Sequence, residues 1–356
     1  IPNPQSLLPY VIVSHMKKDT PQSQPQLVHI VSHGPYCLDG VAAAVAVARY
    51  RTGATIVPHF SGNEHINQAI RSIGPDAAPA GSELWITDIS WTEKETDAHL
   101  CNLAAHGVKI YWFDHHRTAL RRYAAGEIDV PFTEQVVSEK ASAARLVYEH
   151  LEQQLATSGQ HNEPFDAFSP VVAMADDNDR WIHAIPGSRE LALTIRTLGD
   201  DRESLESYEA LLKIDAAVTY TPAMRAAYEK ATREIQASFA TAEKSRVSMA
   251  VPGTPYILVA AICEGHPSEI GDAWGKTATQ TIFALYDLKG EGVSLRRSPD
   301  CQVDLSQLAQ FFGGGGHPAA AGCRPADLHR LFAQELARVL SGAFPSLTTP
   351  DAPSSH

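Results

Sequence analysis

The chain has 356 residues, a length that favours two compact domains over one. Its 44% hydrophobic and 20% charged residues match an ordinary globular composition, which excludes fibrous and wholly disordered classes. Acidic residues outnumber basic ones by 41 to 29, a formal net charge of −12. Coating long duplex nucleic acid, which needs clustered Lys and Arg to displace phosphate counterions, is therefore disfavoured.

Residues 1–26 carry Pro2, Pro4, Pro9, Pro21 and Pro25 among Gln and Ser, and read as a loose arm without the basic start and apolar stretch of a secretory signal. From residue 27 the texture becomes short β-rich runs alternating with amphipathic or Ala-rich stretches, the pattern of a parallel sheet with crossover helices. The spacing predicts strands over 27–32, 55–59, 83–87 and 109–113, with helices beginning near Gly40, Glu64, Glu93 and Glu139. Helical patterning continues from 138 to 245 and closes with a long polar helix from about Pro222 to Glu243, read as a linker. Strands are predicted again over 246–251, 256–263, 279–286 and 292–297, followed by a glycine run at 313–316 and a last helix over about 325–340. The expected organisation is an arm over 1–26, an α/β domain over 27–220, a linker helix over 221–245 and a smaller α/β domain over 246–343. A disordered Ser/Thr/Pro-rich tail is expected over 344–356.

No run reaches the roughly 20 apolar residues that cross a bilayer, so no membrane association is expected. The five cysteines, Cys37, Cys101, Cys263, Cys301 and Cys323, are widely spaced with no C-x-x-C pair, which points to the reducing cytoplasm rather than a disulfide framework.

Three predicted strands end at an acid or a histidine: His33, Asp88 and Asp114. Ligands of open α/β sheets collect outside the carboxyl ends of strands, so these residues define one crevice, shared with Asp39, His115, His116 and the Asp176-Asp177 pair. Carboxylates and imidazoles gathered in one crevice bury badly unless a cation occupies the centre, and an Asp/His set suits manganese, magnesium, iron or zinc. Two divalent ions there would generate hydroxide and clamp a phosphoryl centre. Asp39 taken alone, just before Gly40 and a helix, reads better as a helix cap. The four consecutive glycines let backbone N–H groups approach an anion, and the run Pro318-Ala319-Ala320-Ala321 is expected to open a helix whose dipole strengthens the grip.

Phe113-Asp114-His115-His116, with a hydrophobic strand before it, resembles the signature of the DHH phosphoesterases. Gly313-Gly314-Gly315-Gly316-His317-Pro318-Ala319-Ala320-Ala321-Gly322 resembles that of their DHH-associated domain. The resemblance covers roughly 28–340, includes His33…Asp39-Gly40 and Thr87-Asp88, and implies two α/β domains enclosing a cleft. It further implies that His33 and Asp88 hold a first metal ion, that Asp39, Asp88, His115 and Asp177 hold a second, and that Asp88 bridges them. His116 would face the substrate phosphate, and Asp114 would orient the histidines. Asp177 is preferred over Asp176 because Asp177-Asn178-Asp179-Arg180-Trp181 resembles a motif of nuclease-like members. Cys37 stands where many members carry an aspartate ligand of the first metal; it is either a softer ligand or a small space-filling residue.

By the same resemblance Gly314, Gly315, Gly316 and His317 contact substrate and Arg296 grips a terminal phosphate or nucleotide. The expected activity is metal-dependent hydrolysis, with two divalent ions and manganese foremost, of short oligonucleotides, linear dinucleotides or small nucleotides. A polyphosphate or pyrophosphate hydrolase and a weakened nucleotide sensor are the alternatives. A homodimer is expected only on base rates for soluble proteins.

Overall fold

The computed structural model describes residues 26–348, so the expected arm, Gln26 apart, and the tail beyond Thr348 lie outside the described residues. The chain divides into two units, Ile1–Ala231 and Thr232–His356.

The first unit opens with β1 (Leu27–His33), α1 (Leu38–Tyr50), β2 (Thr55–Ser61), α2 (Ile66–Arg71), β3 (Glu83–Thr87), α3 (Lys94–Ala105), β4 (Lys109–Asp114), α4 (Arg117–Ala124) and β5 (Glu134–Val137). The helices α5 (Ala143–Ser158), α6 (Glu163–Asp166), α7 (Ser169–Asp179), α8 (Ser188–Leu198) and α9 (Glu206–Leu212) follow, and α10 (Pro222–Ser245) carries the boundary between the units. The five strands form one all-parallel sheet in the order β2-β1-β3-β4-β5, with Val28 opposite Glu83 and Glu83 opposite Lys109.

Both faces of this sheet are covered, which is why its strands read as apolar runs rather than strict alternations. Val28, Ile30, Trp85, Tyr111 and Phe113 face the core shared with α1, α5 and α7, while Val31, Leu84, Ile86, Ile110 and Trp112 face the core shared with α2 and α3. Helix α1 is Ala-rich because it is enclosed: every residue from Leu38 to Arg49 is buried. The β1–β2 connection runs one way along the sheet and the β2–β3 crossover returns the other way past β1, so the topological switch point, where open α/β sheets bind ligands, lies between the carboxyl ends of β1 and β3.

The second unit contains β6 (Val247–Ala250), β7 (Ile257–Cys263), α11 (Pro267–Gly275), β8 (Thr281–Asp287), β9 (Gly292–Arg297), α12 (Leu305–Phe311), β10 (Gly315–His317), β11 (Ala320–Cys323) and α13 (Leu328–Thr348). Its mixed sheet runs β10-β11-β9-β8-β7-β6, with only β7 and β8 parallel. One correction concerns the glycine run: Pro318-Ala319-Ala320-Ala321 opens no helix, because Ala320 and Ala321 enter β11, in register with Arg296 and Leu295 of β9. Helix α13 also continues to Thr348, beyond the end expected near 340. Among the described residues no helix is long and apolar enough to cross a membrane.

Candidate functional site

The crevice at the switch point is built by close backbone approach. A Cβ on Gly40 would stand 2.1 Å from the His33 carbonyl oxygen, so only glycine lets the first turn of α1 press against the end of β1. The Ser32 hydroxyl locks that approach by donating to the Gly40 carbonyl at 2.7 Å. Asp88 follows β3 with φ of 58°, a left-handed conformation tolerated by Asp, and its N–H is held by the Phe113 carbonyl at 2.9 Å. Together these contacts bring His33, Cys37, Asp39, Asp88 and Asp114-His115-His116 to one sheet edge.

Asp88 is the hub, and its two oxygens face different partners. Oδ2 lies 3.5 Å from His33 Nδ1 and accepts from the Cys37 thiol at 3.4 Å. Oδ1 lies 3.2 Å from His115 Nε2 and 4.0 Å from His116 Nδ1. His115 also reaches Asp39 Oδ2 at 3.7 Å and, through Nδ1, Asp179 Oδ2 at 3.5 Å. Three ligand sets thus converge: His33 with Cys37 and Asp88, Asp88 with His115 and His116, and Asp39 with His115 and Asp179.

Asp114 is fully buried beneath the two histidines. Its Oδ1 accepts the His115 N–H at 2.7 Å, the His116 N–H at 3.0 Å and His116 Nδ1–H at 2.7 Å. Tyr36 places its hydroxyl 3.3 Å from His33 Nε2, which leaves Nδ1 for Asp88. Asp39 accepts the N–H groups of Ala143 and Ala144 at the start of α5, each at 2.8 Å, so it caps that helix while lining the crevice.

The electrostatics are those of a site with excess acid. Burial alone would lower the His33 and His115 pKa values, but hydrogen bonding and charge from Asp88, with Asp39 and Asp179 also acting on His115, raise them to about 9 and about 10. Asp39 and Asp179 are themselves pushed up, Asp179 to about 6, chiefly by burial and then by repulsion from Asp88. Despite its burial Asp88 is driven well below the usual range by His115 and His33. The enclosed Asp114 Oδ2 has no hydrogen-bond partner. This donor set fits divalent metal ions.

One expected ligand is elsewhere. Asp177 does not enter the crevice: its carboxylate accepts the N–H groups of Ala184 and Ile185, at 2.8 and 3.2 Å, and the Ser188 hydroxyl at 2.5 Å. Asp179 takes the position instead. Residues two apart on a helix point some 200° apart, so Asp177 and Asp179 of α7 face opposite sides. Asp176, the fallback, binds the Ser142 N–H at 2.8 Å and Arg145 at 3.2 Å.

In the second unit, Arg296 is largely buried, with Nη2 donating to Ser268 Oγ at 2.5 Å and its stem under Gly271, where a Cβ would come within 2.5 Å of Arg296 Cγ. Arg297 turns to the other face and donates to the Cys301 carbonyl. The glycine run forms a hairpin with β11: a Cβ on Gly314 would strike the Gly322 carbonyl oxygen at 2.1 Å, and one on Gly316, at φ 140°, would strike Ala321 Cα at 2.6 Å. Gly315 and His317 are exposed on this hairpin, which offers backbone N–H groups without a helix dipole.

No family model matches the sequence. An oligoribonuclease of Bacillus subtilis (strain 168), NrnB, is 24% identical over 324 residues, covering 88% of this chain and 77% of its own. Among solved structures, RecJ from Thermus thermophilus in complex with Mn2+ superposes with a TM-score of 0.52 at 17% identity, over 92% of this chain and 53% of that one. The pGpG-specific phosphodiesterase PggH from Vibrio gives a TM-score of 0.49 at 16% identity, over 89% and 99% of the respective chains. With one parallel-sheet unit and one mixed-sheet unit, the chain is similar in sequence to this oligoribonuclease and in fold to RecJ, and its two motifs resemble those of the DHH phosphoesterases.

Proposed function

We propose that the chain is a divalent-metal-dependent phosphoesterase of the cytoplasm that hydrolyses short oligonucleotides, linear dinucleotides or small phosphorylated nucleotides. The observation that carries this reading is Asp88, a buried carboxylate that turns one oxygen to His33 and Cys37 and the other to His115. Each oxygen would then serve as a ligand to a separate divalent ion. His33, Cys37 and Asp88 would hold one, and Asp39, Asp88, His115 and Asp179 the other, with manganese foremost and a softer ion favoured where Cys37 binds as thiolate. Ions held there would lower the pKa of a water molecule and would set positive charge against the phosphoryl oxygens.

With Cys37 as a neutral thiol, Asp39, Asp88 and Asp179 would offset all but one of the positive charges that two divalent ions bring, leaving the loaded crevice attractive to phosphate. Asp114 receives Nδ1–H of His116 and turns Nε2 away from the core. Burial would depress the His116 pKa, but Asp114 raises it, which favours a ring able to position the phosphate or to protonate the leaving oxygen. Arg296 and the backbone of Gly314, Gly315 and Gly316, with His317, are proposed to bind substrate. The net charge of −12 and the likeness to an oligoribonuclease support short substrates over long duplexes.

The test is product analysis with manganese on a linear diadenylate, a short oligoribonucleotide, adenosine 3′,5′-bisphosphate and inorganic polyphosphate. Mononucleotide or phosphate release from the nucleotides, absent in Asp88→Asn, is the expected result. Hydrolysis of polyphosphate alone, or of nothing by manganese-loaded protein, would overturn it.

A further inference from the structure

Asp179 ends α7, and the loop that follows is fixed by one residue. The Asp177 carbonyl accepts the Ile182 N–H at 2.9 Å and the His183 N–H at 3.4 Å, while its carboxylate binds the Ala184 and Ile185 N–H groups and the Ser188 hydroxyl. Within this frame Trp181 and His183 take φ values of 56° and 53°, a left-handed conformation rare for bulky residues. Such conformations persist only where the surroundings over-determine them, and they gather at binding and catalytic sites.

The constrained turn keeps a large aromatic surface in solvent. Trp85, Trp91, Trp112 and Trp274 are all buried, whereas Trp181 is 43% exposed. The Arg189 guanidinium lies 4.9 Å from the centroid of the Trp181 ring, and the His183 ring stands 4.4 Å away, tilted by 55°. Arg189 also lies 3.4 Å from His183, so the three side chains form one assembly. Trp181 is two residues from Asp179, so their Cα atoms are no more than about 7.6 Å apart. Asp179 in turn touches His115.

We propose that Trp181, backed by Arg189 and His183, is the stacking platform for a nucleobase of the substrate whose phosphate is held at the Asp88 crevice. Indole offers a broad π face that stacks on any base, and the adjoining guanidinium supplies the cation–π support common in single-strand binding. This rests on the nucleotide reading above and sharpens it, because polyphosphate has no use for such a surface.

The test compares binding of adenosine 5′-monophosphate and ribose 5-phosphate by calorimetry, with manganese present, in the wild-type chain, Trp181→Ala and Trp181→Phe. The wild type is expected to prefer the nucleotide. Alanine should shrink that preference by about 5- to 140-fold, the range set by stacking free energies of single bases, and phenylalanine should retain most of it. Equal binding of the two ligands by the wild type, a preference unchanged in Trp181→Ala, or equal losses in the two variants would overturn the platform. Diadenylate hydrolysis run alongside separates the two claims: a nucleotide preference lost in Trp181→Ala, with no cleavage by the wild type, counts against phosphodiester hydrolysis and leaves the platform standing.

Discussion

The two ends of the five-stranded sheet both bury charge, and they bury it differently. At the amino end, Glu83 is nearly inaccessible and accepts from Gln26 Nε2 at 2.8 Å, Arg51 Nε at 2.9 Å and Trp85 Nε1 at 2.9 Å. One carboxylate meets one guanidinium, and neutral donors complete the network. At the carboxyl end, Asp39, Asp88 and Asp179 crowd around His33 and His115, and balance is reached only by protons on the imidazoles and raised carboxyl pKa values. Buried charge therefore does not distinguish a working site from a brace; an unbalanced set of donors does.

The sharpest way to break this contrast is Asp88→Asn. Removing the shared carboxylate at constant volume should cost about 4 kcal/mol of transition-state stabilisation, a thousandfold in turnover, and should lower manganese uptake measured by equilibrium dialysis. Near-normal turnover would sink the bridging assignment. Next in size, Asp179→Asn should weaken manganese binding by roughly 10- to 100-fold with little change in unfolding free energy. Asp177→Asn should do the reverse, costing about 1–3 kcal/mol of stability as its buried donors lose their acceptor, with manganese affinity within a few-fold of wild type. If these two profiles are exchanged, the placement of Asp179 over Asp177 is wrong.

A third test is pH. His33 and His115 have folded pKa values raised to about 9 and about 10 from 6.5, so their contribution to the stability of metal-stripped protein is fully present below about 6.5. It should fade as pH rises through 9 to 10, while manganese-loaded protein stays flat over that window in denaturant titrations. At pH 7, manganese binding should release about two protons, measured by calorimetry in buffers of different ionisation heat. Absence of proton release would show that the imidazoles are not displaced onto metal. The smallest effect is expected at the other end of the sheet: Glu83→Gln should lower stability by about 1–3 kcal/mol in urea titrations and leave turnover of the folded protein unchanged. A loss of turnover there would erase the distinction between the two ends.

Much of the crevice was legible because apolar strand runs stop abruptly at His33, Asp88 and Asp114, and a parallel sheet aligns those stops. Asp179 was not, since three acids fall within four residues of α7 and the inward one depends on helical phase, which sequence spacing alone leaves open to within a residue or two. The hairpin of β10 and β11 was missed for a related reason. Glycine and alanine carry no β-branched signal, and Ala320 and Ala321 become strand through pairing with Arg296 and Leu295, a contact distant in sequence. Trp181 stood in the sequence only as the last residue of a motif, with no role of its own, because its exposure follows from a backbone conformation that composition does not announce.

Asp39 serves two masters, a helix and a ligand set. Its carboxylate holds the first N–H groups of α5, a 16-residue helix of the main core, while standing 3.7 Å from His115. Among the described residues, no backbone N–H donates to the Asp88 carboxylate. Genetic drift therefore meets two unequal doors. A lineage abandoning this chemistry loses no backbone hydrogen bond with Asp88, whereas losing Asp39 takes the acceptor from the first N–H groups of a core helix. A homologue that keeps Asp39 but has lost Asp88 would then be a fossil of former hydrolysis, with its remaining aspartate retained for architecture.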